Sequence, residues 1–252
     1  MKDLVVLCYH GISESWPAKT AVAPGDFEDQ LSDLVSRGYA GATFSEALTA
    51  PAHGRTLVVT FDDAHASVLE HAVPVMDRLG VPGTVFVPTD FPAERRLLAW
   101  DGYDVWLGTA HEQELRCMGW DDLRQLAANG WEIGSHTCSH AVLPNLDDDR
   151  LTAELTESRL ECERQIGAPC RSLAYPEGWC DDRSAVAVRD CGYLFAATVA
   201  QGPTPPLPYR WPRIPMRSGQ DARHVRRRIA ARRLVASPLG LAVRTRRRLT
   251  GS

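Results

Sequence analysis

The sequence lacks any apolar run long enough to cross a lipid bilayer. Its longest apolar runs, such as Thr56 to Phe61 and Val85 to Val87, fall far short of the roughly 20 residues that a transmembrane helix needs. The first residues, Met1-Lys2-Asp3, lead straight into a strand-like segment without a signal-peptide pattern. The sequence therefore predicts no transmembrane segment and a cytoplasmic location.

The cysteines lack the pairing that a disulfide framework or a thiolate zinc site would need. There are seven, they are scattered along the chain, and none belongs to a CxxC pair. We therefore expect all seven to be reduced packing residues: Cys8, Cys117, Cys138, Cys162, Cys170, Cys180 and Cys191.

Acidic residues are missing from the C-terminal end. Residues 222–252 contain ten arginines and no Asp or Glu, so the net charge of −4 leaves about −14 on the preceding residues. Several of these arginines fall on a predicted helix, which favours a solvated helix packed on the acidic body. An anionic partner, such as a membrane surface or an acidic carrier, is the alternative. No nucleic-acid-binding motif accompanies the arginines, so nucleic acid is not expected as a partner.

The body of the chain alternates strand-like and helix-like segments. Its 252 residues, 44% of them hydrophobic, are enough to bury one sizeable core. The alternation predicts a parallel sheet or an α/β barrel. The predicted strands are 4–9, 57–61, 83–87, 131–134, 172–175 and 193–199, and the predicted helices begin near 26, 67, 121, 149 and 182.

Two long segments interrupt this pattern. Residues 89–118 are long for a connection and contain Trp100, Tyr103 and Trp106, which can stack on sugar faces or form a small core of their own. Whether the segment is a substrate lid stays open. Residues 201–215 carry six prolines, and we expect no regular structure there.

Four of the apolar runs end in polar residues. His10 follows the first, Asp62 and Asp63 follow the second, residues 135–140 (Ser-His-Thr-Cys-Ser-His) follow a third, and residues 176–178 follow a fourth. Because the carboxyl ends of parallel strands converge on one face, these segments are predicted to share a site.

Two of these segments together favour a metal ion. Adjacent aspartates after a buried strand repel each other unless a positive charge lies between them. His136 and His140, four residues apart, supply two imidazoles that can face one ion. With one aspartate they form a two-His, one-carboxylate set, which suits zinc and also iron or cobalt.

The chain resembles the polysaccharide deacetylase family, the NodB-homology domain of carbohydrate esterase family 4. Three ordered motifs carry the resemblance: Thr60-Phe61-Asp62-Asp63, residues 135–140, and Ala174-Tyr175-Pro176-Glu177-Gly178. Residues 130–134 and 191–193 support it. The start Leu7-Cys8-Tyr9-His10 resembles the branch that contains poly-N-acetylglucosamine deacetylases.

The resemblance implies a distorted (β/α) barrel of seven strands, and we assign it residues 1–220. The arginines after this point predict a basic helical tail over residues 221–252. It implies one divalent metal, zinc first, with cobalt, iron, nickel or manganese as alternatives. The implied residue roles are metal binding by Asp63, His136 and His140, proton removal by Asp62, proton donation by His10, and oxyanion or substrate binding by Tyr175, Pro176 and Glu177.

The sequence departs from the family pattern near these motifs. Ala64 replaces the usual Gly, Glu177 replaces an aromatic residue, and Ala174 stands where many relatives have the Arg that orients the base. Arg213 resembles an arginine that this branch places after the last strand, and it is the candidate to approach Asp62 instead. His65 and His224 are rival candidates for the proton donor.

The implied reaction is removal of an N-acetyl group from an amino sugar or glycan. Two alternatives remain: a metal-dependent amidohydrolase of a non-sugar substrate, and a carbohydrate-binding module with a degenerate site. Retention of both aspartates and both motif histidines argues against the binding module.

Overall fold

The computed structural model describes residues 3–49, 54–199 and 205–236, with side chains to residue 232. The strands and α-helices, in chain order, are β1 Asp3–Tyr9, α1 Pro24–Ser36, β2 Tyr39–Gly41, α2 Phe44–Thr49, β3 Arg55–Phe61, α3 Val73–Leu79, β4 Gly83–Val87, α4 Trp120–Ala128, β5 Glu132–Ser135, α5 Asp148–Ile166, β6 Ser172–Ala174, α6 Asp182–Asp190, β7 Phe195–Val199, β8 Trp211–Pro215 and α7 Ala222–Ala236.

Seven parallel strands close into a barrel. β3, β4, β5, β6, β7 and β8 pair in sequence order, and β1 closes the ring by pairing with β8 and, over its full length, with β3. β2 pairs only with the first three residues of β3, whereas β4 pairs with the last three. β2 and β4 therefore share one edge of β3, and β2 lies outside the ring. The predicted seven-stranded (β/α) barrel is confirmed.

Side chains along the strands point alternately outward and inward, and they form two separate apolar clusters. A larger core packs the outer faces of the strands against the helices, with Tyr9 of β1 edge-on to Phe27 of α1 at 5.0 Å. A small cluster joins residues from strands around the ring, Val6, Val58, Phe86, Ala174 and Ala197, to α2. Since side chains on a strand point to one face at every second position, this cluster fills the barrel interior. On β1 and β3 the next inward positions toward the carboxyl ends are Cys8 and Thr60, and these contact Asp62 and Arg213 of the candidate site.

The expectation that residues 201–215 hold no regular structure is wrong, because β8 occupies Trp211–Pro215. Proline lacks an N–H donor, but its fixed φ suits an extended strand. The carbonyls of Pro212 and Pro215 accept hydrogen bonds from Arg232 and Arg228 of α7, at 3.1 and 2.6 Å. Arginine side chains of α7 thus supply hydrogen-bond donors to the carbonyl groups of this strand. The local sequence around the prolines does not indicate these donors. β2 and α2 were also not predicted.

The helix α7 packs against the barrel along its described length. Val225 and Ile229 are buried in the core, and Arg226 pairs with Asp33 of α1 at 2.7 Å. Burial, followed by the charge of Arg228, lowers the pKa of Arg232 to about 10. Residues 237–252, with the last arginines, lie outside the described residues. An anionic partner for the tail stays a prediction, as does the domain boundary at 220. Within the described chain, no helix combines the length and apolar character needed to cross a membrane.

Candidate metal centre and base

Both motif aspartates lie directly after β3, in a strained turn. Asp63 and Ala64 have φ values of 69° and 55°, the left-handed region that costs a non-glycine residue about 1–3 kcal/mol. Ala64 thus keeps the backbone conformation that the usual glycine would adopt freely. Thr137, His140 and Glu177 share positive φ, at 67°, 62° and 56°. Strain of this kind persists where the surrounding structure holds functional side chains in place.

Asp63, His136 and His140 come together as the resemblance implies. Each offers a ligand atom, and these atoms lie within 4.8 Å of one another. The Nε2 atoms of His136 and His140 are 3.4 and 3.5 Å from Asp63 Oδ1. His136 Nδ1 lies 2.8 Å from the carbonyl oxygen of Ala174, so it carries the hydrogen and donates there. This leaves Nε2 with a lone pair directed toward Asp63.

The electrostatics of this cluster favour an ionised Asp63 and a neutral His140. Burial raises the pKa of Asp63, but its contacts with His136 and His65 outweigh burial and hold that pKa well below its usual range. Burial lowers the pKa of His140 to about 4. For His136, burial acts in the same direction, but the contact with Asp63 outweighs it and raises the pKa.

The donor set fits a divalent metal. Asp63 Oδ1 is buried and finds no hydrogen-bond partner within the described structure, although it faces two imidazole nitrogens. A buried unpaired carboxylate oxygen is costly, and a cation between it and the two nitrogens would remove that cost. Two nitrogens and one oxygen are a ligand set typical of catalytic zinc sites with an open position.

Asp62 lies beside this cluster and is held by Arg213. The guanidinium donates two parallel hydrogen bonds, Nη1 to Oδ1 at 2.6 Å and Nη2 to Oδ2 at 2.7 Å. Arg213 is fully buried; it also donates to the Thr60 hydroxyl at 3.0 Å and lies over the ring of Phe86. Burial raises the pKa of Asp62, but Arg213 outweighs it and the pKa is lowered. Arg213 of β8 therefore contacts Asp62 directly. It takes the place of the motif arginine, whose position is occupied by Ala174 in this chain.

His10 and Cys8 lie close to Asp62. Together the three residues form a second close group of ligand-type atoms, and His10 Nδ1 is buried without a partner in the described chain. Burial lowers the pKa of His10, although the charges of Asp63 and Asp62 act in the opposite direction. Cys8, which the sequence analysis treated only as a packing residue, donates its thiol hydrogen to Asp62 Oδ2 at 3.4 Å.

Neither rival histidine has a ring nitrogen free beside Asp62 in the described structure. His65 is buried, with Nδ1 at 2.9 Å from the carbonyl of Glu114 and Nε2 at 3.1 Å from the Tyr103 hydroxyl. His224 is exposed on α7. Of the three candidates, His10 has a ring nitrogen left free beside Asp62.

The third motif forms a turn after β6. The Tyr175 hydroxyl donates to the carbonyl of Tyr209 at 2.9 Å, so its polar end supports the neighbouring loop, and Pro176 is buried. Glu177 is exposed overall. Partial burial of its carboxyl group, followed by the negative charge of Asp63, raises the pKa of this group. A Cβ on Gly178 would come within 2.6 Å of Val199, so the turn requires glycine there.

The segment 89–118 reaches the candidate site, which the sequence analysis did not predict. Trp100 stacks on His140 with ring centroids 3.9 Å apart and planes at 10°. The Tyr103 hydroxyl donates to Asp63 Oδ2 at 2.9 Å. The aromatics also pack with one another and with Trp16. The only indication in the sequence was that several aromatic residues fall in one long loop. This did not show which polar groups they contact.

A family model described as polysaccharide deacetylase matches residues 49–196, more than half of the chain. The chain belongs to the polysaccharide deacetylase family. The Bacillus subtilis protein YxkH, named for the same family, is 22% identical over 204 residues, covering 79% of this chain and 65% of YxkH. The poly-beta-1,6-N-acetyl-D-glucosamine N-deacetylase of Staphylococcus epidermidis is 23% identical over 209 residues, covering 77% of this chain and 67% of that protein.

Solved structures of deacetylases share the fold. A polysaccharide deacetylase from Bacillus cereus superposes with a TM-score of 0.74 at 22% identity, over 90% of this chain and 68% of that one. The Streptococcus pyogenes deacetylase PplD, solved in complex with acetate, gives 0.73 at 19% identity, over 89% and 96%. At sequence identities of 22% and 19%, this structural similarity establishes the barrel fold.

Proposed function

We propose that the chain is a metal-dependent N-deacetylase that removes acetyl groups from amino sugars in a glycan. The observation that carries the proposal is a buried carboxylate, Asp62, held ionised by Arg213 beside three groups that suit a metal ion. A proton acceptor next to a metal site is the arrangement that amide hydrolysis by water requires.

The metal, zinc in our proposal, would be held by Asp63, His136 and His140, and when bound it would supply a Lewis acid that polarises the acetyl carbonyl and acidifies water. Asp62 takes the proton from the attacking water, and Arg213 keeps Asp62 ionised and fixes its plane. His10 gives a proton to the departing nitrogen, because an amide anion is too basic to leave. The backbone N–H of Glu177 is the candidate donor to the developing oxyanion.

The names of the Staphylococcus relatives suggest β-1,6-linked N-acetylglucosamine as the first substrate to test. Acetate release should be measured with zinc-loaded protein on N-acetylglucosamine oligomers, N-acetylated monosaccharides and simple non-sugar acetamides. Release from the oligomers supports the proposal. Release from non-sugar amides alone would favour the amidohydrolase, and glycan binding without release under every metal would favour the binding module.

Replacing His10 with Ala should remove the proton donor. We expect the variant to keep its metal, lose most of kcat, and lose the alkaline limb of the kcat/KM profile. Since burial lowers the pKa of His10, that limb in the unmodified enzyme should lie below the ~6.5 of an exposed histidine. His224→Ala, on the exposed face of α7, is the control. Near-normal turnover with an unchanged limb would assign the donor to another residue, and His65→Ala would then be the next variant.

Replacing Arg213 with Gln should move the acid limb of kcat/KM to higher pH. The base works when ionised, and the guanidinium lowers the pKa of Asp62, so its loss raises the pH at which Asp62 gains a proton. Stability should fall by about 3–5 kcal/mol, because Asp62 is left buried and unpaired. Arg210→Gln, which breaks an exposed pair with Asp182, is the matched control, with a cost under about 1 kcal/mol. An acid limb at the same pH in Arg213→Gln would contradict the role.

A further inference from the structure

The segment 89–118 is joined to the backbone that carries Asp63. It folds back on itself through the bridge between Leu97 and Arg116. Its far end then pairs with the residues that follow Asp63: Cys117 bridges to His65, and Met118 N–H donates to the carbonyl of Ala64 at 2.8 Å. The end of the segment is therefore hydrogen-bonded to the strained turn after β3 and is not a separate loop.

From this segment, Tyr103 holds one oxygen of Asp63. Its hydroxyl donates to Oδ2 at 2.9 Å, while Oδ1 of the same carboxylate faces the two motif histidines. An ionised carboxylate can only accept a hydrogen bond, so the phenol of Tyr103 is the donor in this pair. The two oxygens of Asp63 thus have different partners, and the carboxylate plane is set by Tyr103.

The orientation of Tyr103 is itself fixed by packing. Its ring stacks on Trp100 at 4.9 Å and meets Trp16 edge-on at 5.7 Å. Trp100 stacks in turn on the imidazole of His140 at 3.9 Å. One aromatic pair therefore contacts two of the three candidate ligands.

If Tyr103 only packed in the segment's own core, its aromatic ring would be explained but its hydroxyl would not. A phenylalanine would fill the same space against Trp16 and Trp100. The hydroxyl of Tyr103 instead forms a charge-assisted hydrogen bond to a buried carboxylate outside the segment. Partners that orient metal ligands in this way affect metal affinity as well as packing.

We propose that Tyr103 is a positioning residue for the metal centre, holding Asp63 Oδ2 so that Oδ1 faces His136 and His140, with Trp100 fixing the plane of His140. The proposal rests on the proposed function, because it assigns the segment to the metal site named there. The resulting site takes a divalent cation with nitrogen and oxygen ligands, and the aromatic segment sets how tightly it binds.

The test is zinc affinity of the full chain, measured by competition with a chromogenic chelator. Tyr103→Phe should bind zinc about 10–100-fold more weakly, because it keeps the ring and loses the hydrogen bond to Asp63. Tyr193→Phe is the matched control: its buried hydroxyl donates to the Leu155 carbonyl at 3.0 Å and contacts Ser158, and neither of these is a candidate ligand. That variant should lose stability and keep its zinc affinity. Trp100→Leu examines the same centre from the His140 side and should also bind zinc more weakly.

Asp63→Ala separates this inference from the proposed function. If Asp63→Ala abolishes zinc binding while Tyr103→Phe and Trp100→Leu bind as tightly as the unmodified protein, the positioning role is wrong and the metal site stands. If Asp63→Ala itself binds zinc normally, the metal site is wrong. Equal losses of affinity in Tyr103→Phe and Tyr193→Phe would reduce the effect to general destabilisation and overturn the inference.

Discussion

Replacing Asp62 with Asn is expected to lower kcat by 100-fold or more while the protein keeps its zinc. An amide has the shape of the carboxylate but does not accept a proton near neutral pH, and loss of a positioned base typically costs two to four orders of magnitude. Zinc should remain bound because the ligand cluster uses Asp63 and not Asp62. The variant should also be less stable, since the buried guanidinium of Arg213 loses its charge partner.

Steady-state acetate release, elemental analysis and thermal unfolding of the same preparation test this prediction. Asp182→Asn, which removes a fully exposed partner of Arg210, is the matched control and should change none of the three. If Asp62→Asn loses its zinc but is active when zinc is restored, the two aspartates have been assigned the wrong way round.

Replacing either motif histidine with Ala should remove the metal. His136 and His140 each provide one of three ligand atoms, and a site left with one imidazole and one carboxylate cannot hold zinc firmly at micromolar concentrations. Both variants should contain far less than one zinc per chain by elemental analysis after dialysis. Activity should fall with zinc content.

His111→Ala is the control for this pair, because His111 lies in the segment 89–118 and outside the ligand cluster. It should keep full zinc content. Full zinc content in both His136→Ala and His140→Ala would contradict the assigned site, whatever their activity.

The positions of the candidate ligands follow from a rule that the sequence alone can apply. Each polar motif comes directly after an apolar run, and parallel strands bring their carboxyl ends to one face, so Asp63 and His136 could be expected to meet. The pairing of Arg213 with Asp62 could be expected only from the family resemblance. The two residues are 151 positions apart, and β8 lies in a stretch whose prolines argue against a strand.

The contribution of Tyr103 could not be predicted in this way. It depends on the path of a long connection, which is set by tertiary pairing of residues 116–118 with residues 64–66 and not by any local pattern. The bond from Cys8 to Asp62 was missed for a similar reason. A buried cysteine on a strand usually acts as a small apolar residue, and only the inward register of β1 turns its thiol toward Asp62.

The most direct test of the account is acetate release from N-acetylglucosamine oligomers by one protein preparation before zinc removal, after chelation and after zinc is restored. The account predicts release that stops on chelation, returns with zinc, and is at least 100-fold slower in Asp62→Asn under the same conditions. Release that continues at an unchanged rate in the chelated protein, or that is equally fast in zinc-loaded Asp62→Asn, would contradict it.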